Sequence, residues 1–118
     1  MQHSAEFLAV VDEARPRVRE LSIADLNQER GYLLVDVRED HEWSEGHIAG
    51  ALHLSRGILE RDAIGRLPDK HAAIVLYCGG GYRSILAADS LQKMGYTNVR
   101  SLIGGWKAAV AAGLPIDR

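Results

Sequence analysis

Apolar residues recur along this chain in two rhythms, and the alternation between them predicts the fold class. Phe7, Val11, Ala14, Val18 and Leu21 are spaced four, three, four and three, which is one face of a helix with Ser4 as its N-cap. Pro16 interrupts that face. Proline removes a helix hydrogen bond and disfavours helical geometry at Arg15, so a kink or an early stop is predicted there. Ser22-Ile23-Ala24-Asp25 reads as a capping box opening a short helix to about Glu29, with Gly31 just past its end. From Tyr32 the rhythm changes. Tyr32 to Val37 is a nearly continuous apolar run ending in charge, as in a strand covered on both faces. Polar, helix-tolerant residues follow from Glu39 to Glu45, then a short strand over Ala51 to Leu54 and a helix over Ile58 to Leu67, weakened by Gly65. Ala73 to Tyr77 is the strongest strand signal. Arg83 to Met94 reads as a helix with Ile85, Ala88, Leu91 and Met94 inward and Gly95 as its stop. Val99 to Leu102 predicts a last strand, and Trp106 to Ala112 a closing helix before Gly113.

Strands alternating with helices across short turns argue for an α/β domain with a mostly parallel sheet. Ligands in such folds sit at the carboxyl ends of the strands. Two charged clusters fall there, Asp36-Val37-Arg38 and the run beginning at Cys78. A chain of 118 residues builds one core, to which residues 1–20 form an N-terminal helical extension. Lys and Arg number 14 against 16 Asp and Glu, a formal charge of −2, so no nucleic-acid partner is expected. Apolar residues at 47% and charged residues at 25% exclude disorder. The longest apolar run, Ala72 to Cys78, is far too short to span a bilayer, and the first residues lack the basic start and apolar stretch of a secretory signal. A soluble, cytoplasmic protein without membrane attachment is the expectation.

A single cysteine, Cys78, excludes an internal disulfide, a C-x-x-C redox pair and a cysteine-clustered zinc site. It is therefore either inert core filler or a nucleophile working with an external partner. Its surroundings, Tyr77-Cys78-Gly79-Gly80-Gly81-Tyr82-Arg83-Ser84, favour the second. Three glycines between a buried strand and a helix permit backbone angles that turn successive N–H groups inward, an anion-binding nest continued by the helix start. The helix end and Arg83 both favour thiolate over thiol, and an activated sulfur nucleophile follows. A phosphate-binding P-loop would need Gly-Lys-Ser/Thr, and here Tyr-Arg-Ser follows the glycines. A dinucleotide fingerprint would need a third glycine at Ser84. A phosphatase loop would place arginine at position 84, whereas arginine stands at 83. The shorter ring suits a single extra sulfur better than a tetrahedral phosphate.

Three segments in order resemble the rhodanese homology family, in particular its single-domain sulfurtransferases, over roughly Leu21 to Ile116. The first is Val35-Asp36-Val37-Arg38-Glu39 continuing through Glu42-Trp43 to Gly46-His47-Ile48-Ala49-Gly50-Ala51, where the family often has proline at the place of Ala49. The second is the loop Cys78 to Arg83 with Ser84, and the third is Gly104-Gly105-Trp106 followed by Ala112-Gly113-Leu114-Pro115-Ile116. The resemblance assigns residues 21–118 to a rhodanese domain, a five-stranded mostly parallel sheet flanked by helices. It implies that Cys78 takes a sulfane sulfur from thiosulfate or a similar donor as a persulfide and passes it to cyanide or a thiol. Gly79, Gly80, Gly81, Tyr82, Arg83 and Ser84 then form the loop that holds the persulfide. No cofactor is implied. A protein-partnered sulfur carrier with little small-molecule turnover is the alternative, and an arsenate or phosphate-ester enzyme on a related loop is a third reading.

Asp36 and Arg38, two apart on a strand, point to the same side: an internal salt bridge or cap fixing the strand end is the favoured role, and the pocket wall is the alternative. The Glu39, Asp40, Glu42 and Glu45 run reads as a solvated helix face. His41, His47 and His53, spaced by six, fit no common zinc site, and no metal is expected. His47 reads as structural and the two tryptophans, Trp43 and Trp106, as packing residues, while Tyr82 is placed to shape substrate access.

Overall fold

The structure is a computed structural model that describes residues 3–118. Its main sheet has five strands, all parallel: β1 (Arg19–Leu21), β2 (Leu33–Asp36), β4 (Leu52–His53), β5 (Ile74–Tyr77) and β6 (Val99–Leu102), in the order β1-β6-β5-β2-β4. Helices cover both faces. Because side chains alternate along a strand, Ile74, Leu76 and Cys78 enter one core layer and Val75 and Tyr77 the other. The first layer packs against α1 (Ala5–Ala14), α4 (Leu59–Arg66) and α5 (Arg83–Lys93) through Val11, Ala63, Ile85 and Leu91. The second packs against α2 (Ile23–Asn27) and α6 (Gly105–Ala111) through Leu26 and Ala109. Each β5 residue from Ile74 to Tyr77 is fully buried, as the centre of a doubly covered parallel sheet requires.

The capping signals hold. Ser4 accepts from the Phe7 N–H at 3.0 Å, and Ser22 accepts from the Asp25 N–H at 3.1 Å. The helix stops at Ala14, where Pro16 predicts an early stop, and a single 3-10 turn over Arg15–Arg17 carries the proline, so the helical spacing does not continue through Val18 and Leu21. Val18 and Leu21 are indeed buried, but in opposite core layers, which one helix face cannot supply and an extended segment can. The backbone from Arg19 pairs instead with the open edge of β6. A second, two-stranded antiparallel sheet joins β3 (His47–Ile48) to β7 (Ile116–Asp117). Strands of two residues have no periodicity to read. The segment between β2 and β3 is α3 (Asp40–Glu45), and no helix among the described residues is long and apolar enough to cross a membrane.

The N-terminal helix is fastened along the second half of its inner face and just beyond its end. Val11 and Ala14 are buried against α5. The Arg17 guanidinium donates to both Asp89 oxygens at 2.9 and 2.8 Å, and Gln92 donates to the Arg17 carbonyl at 2.8 Å.

Candidate active site

Strand β5 delivers Cys78 to the carboxyl edge of the sheet, beside the start of α5. There the chain turns through Gly79 to Tyr82, and Gly81 adopts φ +96°, which a side chain would strain. That turn brings two backbone donors onto the sulfur: the Gly81 N–H at 3.2 Å and the Ser84 N–H at 3.3 Å from Sγ. The Ser84 hydroxyl lies 3.4 Å from the sulfur and 2.7 Å from the hydroxyl of Ser101 on β6. With the sulfur ionised, Ser84 donates to it and accepts from Ser101, so a short proton-ordered chain ends at the nucleophile. Donors fixed in this way favour negative charge on Sγ or on an atom bonded to it, with no reorganisation at the moment of reaction.

Gly104-Gly105-Trp106 holds this loop from behind. The Trp106 N–H donates to the Cys78 carbonyl at 2.7 Å and the Lys107 N–H to the Gly79 carbonyl at 3.1 Å. A Cβ at Gly105 would overlap the Cys78 carbonyl, and one at Gly104 would sit 2.6 Å from the Ala108 Cβ. Backbone therefore packs on backbone here, and both glycines have positive φ, +75° and +49°.

Arg83 does not point an unpaired charge at the sulfur. Its guanidinium donates to both oxygens of Glu42 at 2.9 and 3.1 Å, a bidentate pair across α3 and α5. The Arg83 hydrogen bonds hold the Glu42 carboxyl down at about 2, against the opposing effect of burial; the Glu39 N–H, 3.1 Å away, lowers it further. The Arg83 pKa is raised in turn, first by the hydrogen bonds to Glu42 and with a smaller contribution from Cys78. Glu42 was expected on a solvated face. The signal that marks it is long-range pairing, which local helical periodicity does not carry.

Asp36 and Arg38 form the internal salt bridge expected at the strand end and do not line the Cys78 pocket, which corrects the pocket-wall alternative. Both are buried, at 0% and 3% exposure, and Arg38 donates to Asp36 at 2.8 Å and to the Gly46 carbonyl at 2.7 Å. The Arg38 guanidinium sits 4.5 Å from the Trp106 ring centroid, so this pair braces β2 against the Gly46 turn and α6. Trp43 stacks between His47 and His53, with centroids 3.4 and 4.8 Å away. His53 Nε2 is 2.9 Å from the Arg38 carbonyl. These residues stabilise the neighbourhood of the loop without reaching the sulfur.

Cys78 is only 1% exposed, yet it opens into a pocket of about 490 Å³ lined also by Gly80, Tyr82, Arg83, Glu39, Glu42, His41, His3 and Phe7. His3 and Phe7 come from the start of the chain, which the sequence had not connected with the site.

The comparisons with known proteins bear on the family and the fold. The profile of the rhodanese-like domain matches residues 21–112. The thiosulfate sulfurtransferase GlpE of Coxiella burnetii is 36% identical over 95 residues, covering 78% of this chain and 87% of that protein. Its Haemophilus influenzae counterpart is 36% identical over 90 residues, covering 75% and 83%. Among solved structures, a Rhodopseudomonas palustris protein of unknown function, named a possible tyrosine phosphatase, superposes with TM-score 0.82 at 30% identity over 99% of both chains. A rhodanese with anions from E. coli superposes with TM-score 0.65 at 28% identity over 74% of this chain and 98% of that one. The chain belongs to the rhodanese-like domain family and is of the same single-domain type as the curated thiosulfate sulfurtransferases.

Proposed function

We propose that this protein transfers a sulfane sulfur from thiosulfate or a similar donor to a thiophilic acceptor through a persulfide on Cys78. The observation that carries this reading is the pair of backbone N–H groups 3.2 and 3.3 Å from Sγ at the floor of an open pocket. Cys78 attacks the outer sulfur of the donor, forming a new S–S bond. The bond between the two donor sulfurs breaks, and its electron pair leaves with sulfite. The Gly81 and Ser84 N–H groups and the Ser84 hydroxyl then neutralise charge on the persulfide. Cyanide or a thiolate takes the outer sulfur and returns Cys78 to its starting state. No second cysteine exists to resolve the persulfide internally, so turnover requires an external acceptor, a small molecule or a protein. The lone thiol fits the reducing cytoplasm.

A relative named as a possible phosphatase raises a second chemistry. The loop from Cys78 to Arg83 argues against it: Arg83 is already held by Glu42, so a phosphoryl group would lack the guanidinium such a reaction needs. Thiocyanate production from thiosulfate and cyanide, measured beside hydrolysis of an aryl phosphate, tests the proposal. The expected result is thiocyanate from the native protein, none from Cys78→Ser, and no phosphate release. Phosphate release that depends on Cys78, without thiocyanate, would overturn it.

A further inference from the structure

The mouth of the Cys78 pocket has a wall that the sulfur chemistry does not use. His3, Phe7 and Tyr82 form an aromatic cluster there, with ring centroids 5.1 Å apart for His3 and Phe7, 4.8 Å for His3 and Tyr82, and 6.4 Å for Phe7 and Tyr82. All three are only partly buried, so each presents ring surface to the pocket. Two of them, His3 and Phe7, precede residues 21–112, the span of the family match, and are added there to Tyr82, which lies inside it. It is also a fixed addition. Helix α1 is capped by Ser4, buried through Val11 and Ala14, and tied by Arg17 to Asp89 on α5.

The charge of the pocket points the same way. Its lining holds two carboxylates, Glu39 and Glu42, two histidines, His3 and His41, and one guanidinium, Arg83, with Lys107 in the adjoining cavity; both Arg83 terminal nitrogens are already taken by Glu42. Glu39 is exposed and accepts from the Glu42 N–H at the start of α3, so a small dianion entering this pocket meets no unpaired guanidinium. An organic group instead meets apolar ring surface, from which it displaces water.

We propose that Phe7, Tyr82 and His3 form a specificity wall that selects organic sulfur donors with a flat apolar body, such as aryl thiosulfonates, over inorganic thiosulfate. This rests on the sulfur-transfer reading and names the substrate class for the same site. In the step concerned, Cys78 attacks the outer sulfur of R–SO2–S−. The Cys78–S bond forms, the bond from the outer sulfur to the sulfonyl sulfur breaks, and its electron pair leaves as the sulfinate R–SO2−. Cyanide then removes the outer sulfur as thiocyanate, so no oxidant or reductant is consumed.

Benzenethiosulfonate and methanethiosulfonate have the same charge and the same transferred atom and differ in the ring. With cyanide as common acceptor, the ratio of their kcat/KM values isolates the ring, and thiosulfate measured alongside reports the effect of the second charge. The native protein is expected to favour the phenyl donor over the methyl donor by about tenfold, the scale of one or two aromatic contacts. Phe7→Ala should cut that ratio about fivefold. His3→Ala, which lies outside α1 and leaves its buried Val11 and Ala14 in place, should lower it in the same direction by a smaller factor and separates the wall from the docking of the helix. A ratio near one, or a ratio unmoved in both variants while thiosulfate still yields thiocyanate, overturns the wall and leaves sulfur transfer standing. Absence of thiocyanate from all three donors overturns sulfur transfer and the wall together.

Discussion

The close packing of α6 on the Cys78 loop makes Gly105→Ala the most informative single perturbation of the scaffold. Gly105 has φ +49°, where a Cβ costs about 1–2 kcal/mol. The added methyl also overlaps the Cys78 carbonyl, whose ordinary contact distance to carbon is about 3.3 Å or more. The loop or α6 must retreat by on the order of 1 Å, and overpacking of this kind costs about 1–3 kcal/mol. Together the variant should lose about 2–5 kcal/mol. The retreat also loosens the hydrogen bonds of the Cys78 and Gly79 carbonyls to the Trp106 and Lys107 N–H groups. A displacement of that size at a reacting centre costs about 100-fold in turnover. Gly113→Ala is the matched control, with φ +74° and nothing within 4 Å of the added Cβ, so it should carry the 1–2 kcal/mol backbone cost alone and keep its activity. Urea unfolding and thiocyanate formation on both variants decide the matter. Equal stability loss in the two, or near-native turnover in Gly105→Ala, refutes the argument that α6 sets the position of the nucleophile.

Glu42→Gln breaks the bidentate pair with Arg83. Both side chains are about one-quarter to one-third exposed, so the stability loss at pH 7 should be about 1 kcal/mol. Because the Glu42 carboxyl is held down at about 2 in the fold, this stabilisation is fully present above its ordinary range near 4.5 and disappears as pH falls toward 2. Urea midpoints of the two proteins should therefore differ at pH 7 and converge at low pH, and a constant difference contradicts the pairing. Ser84→Ala removes the hydroxyl between Sγ and Ser101 and leaves the buried Ser101 hydroxyl without its partner, for a cost of about 1–3 kcal/mol by urea unfolding. The Ser84 N–H survives that change, so persulfide formation slows without being lost. Tyr77→Phe leaves the buried Ile48 N–H, which donates to the Tyr77 hydroxyl at 3.1 Å, unsatisfied; a loss of about 1–3 kcal/mol with turnover retained is expected.

Elements whose sequence signal is local were legible in advance. The buried run Ala73 to Tyr77, the Ser22 capping box and the Gly95 stop each match their place in the structure. The central loop was legible for the same reason, since a cysteine leaving a strand into three glycines constrains the backbone within a few residues. What stayed hidden depends on residues far apart in the chain. Arg83 meets Glu42 across 41 positions, Ser84 meets Ser101 across 17, and Phe7 reaches Tyr82 only because α1 docks on α5. The turn of Val18 to Leu21 from helix to strand has the same origin, because the edge of β6 that recruits it lies at residues 100–102. Asp36 and Arg38 show the converse: their spacing was right for a shared face, but the face is an interior one, closed by Trp106 and the Gly46 carbonyl.

The central claim is that Cys78 carries the transferred sulfur. Intact-mass measurement of the reduced protein after incubation with thiosulfate, repeated after cyanide, tests it most directly. The expected result is the gain of one sulfur atom on Cys78, its removal by cyanide with release of thiocyanate, and no gain in Cys78→Ser. A folded, reduced protein that gains no sulfur, or one that gains it equally in Cys78→Ser, would rule out a Cys78 persulfide.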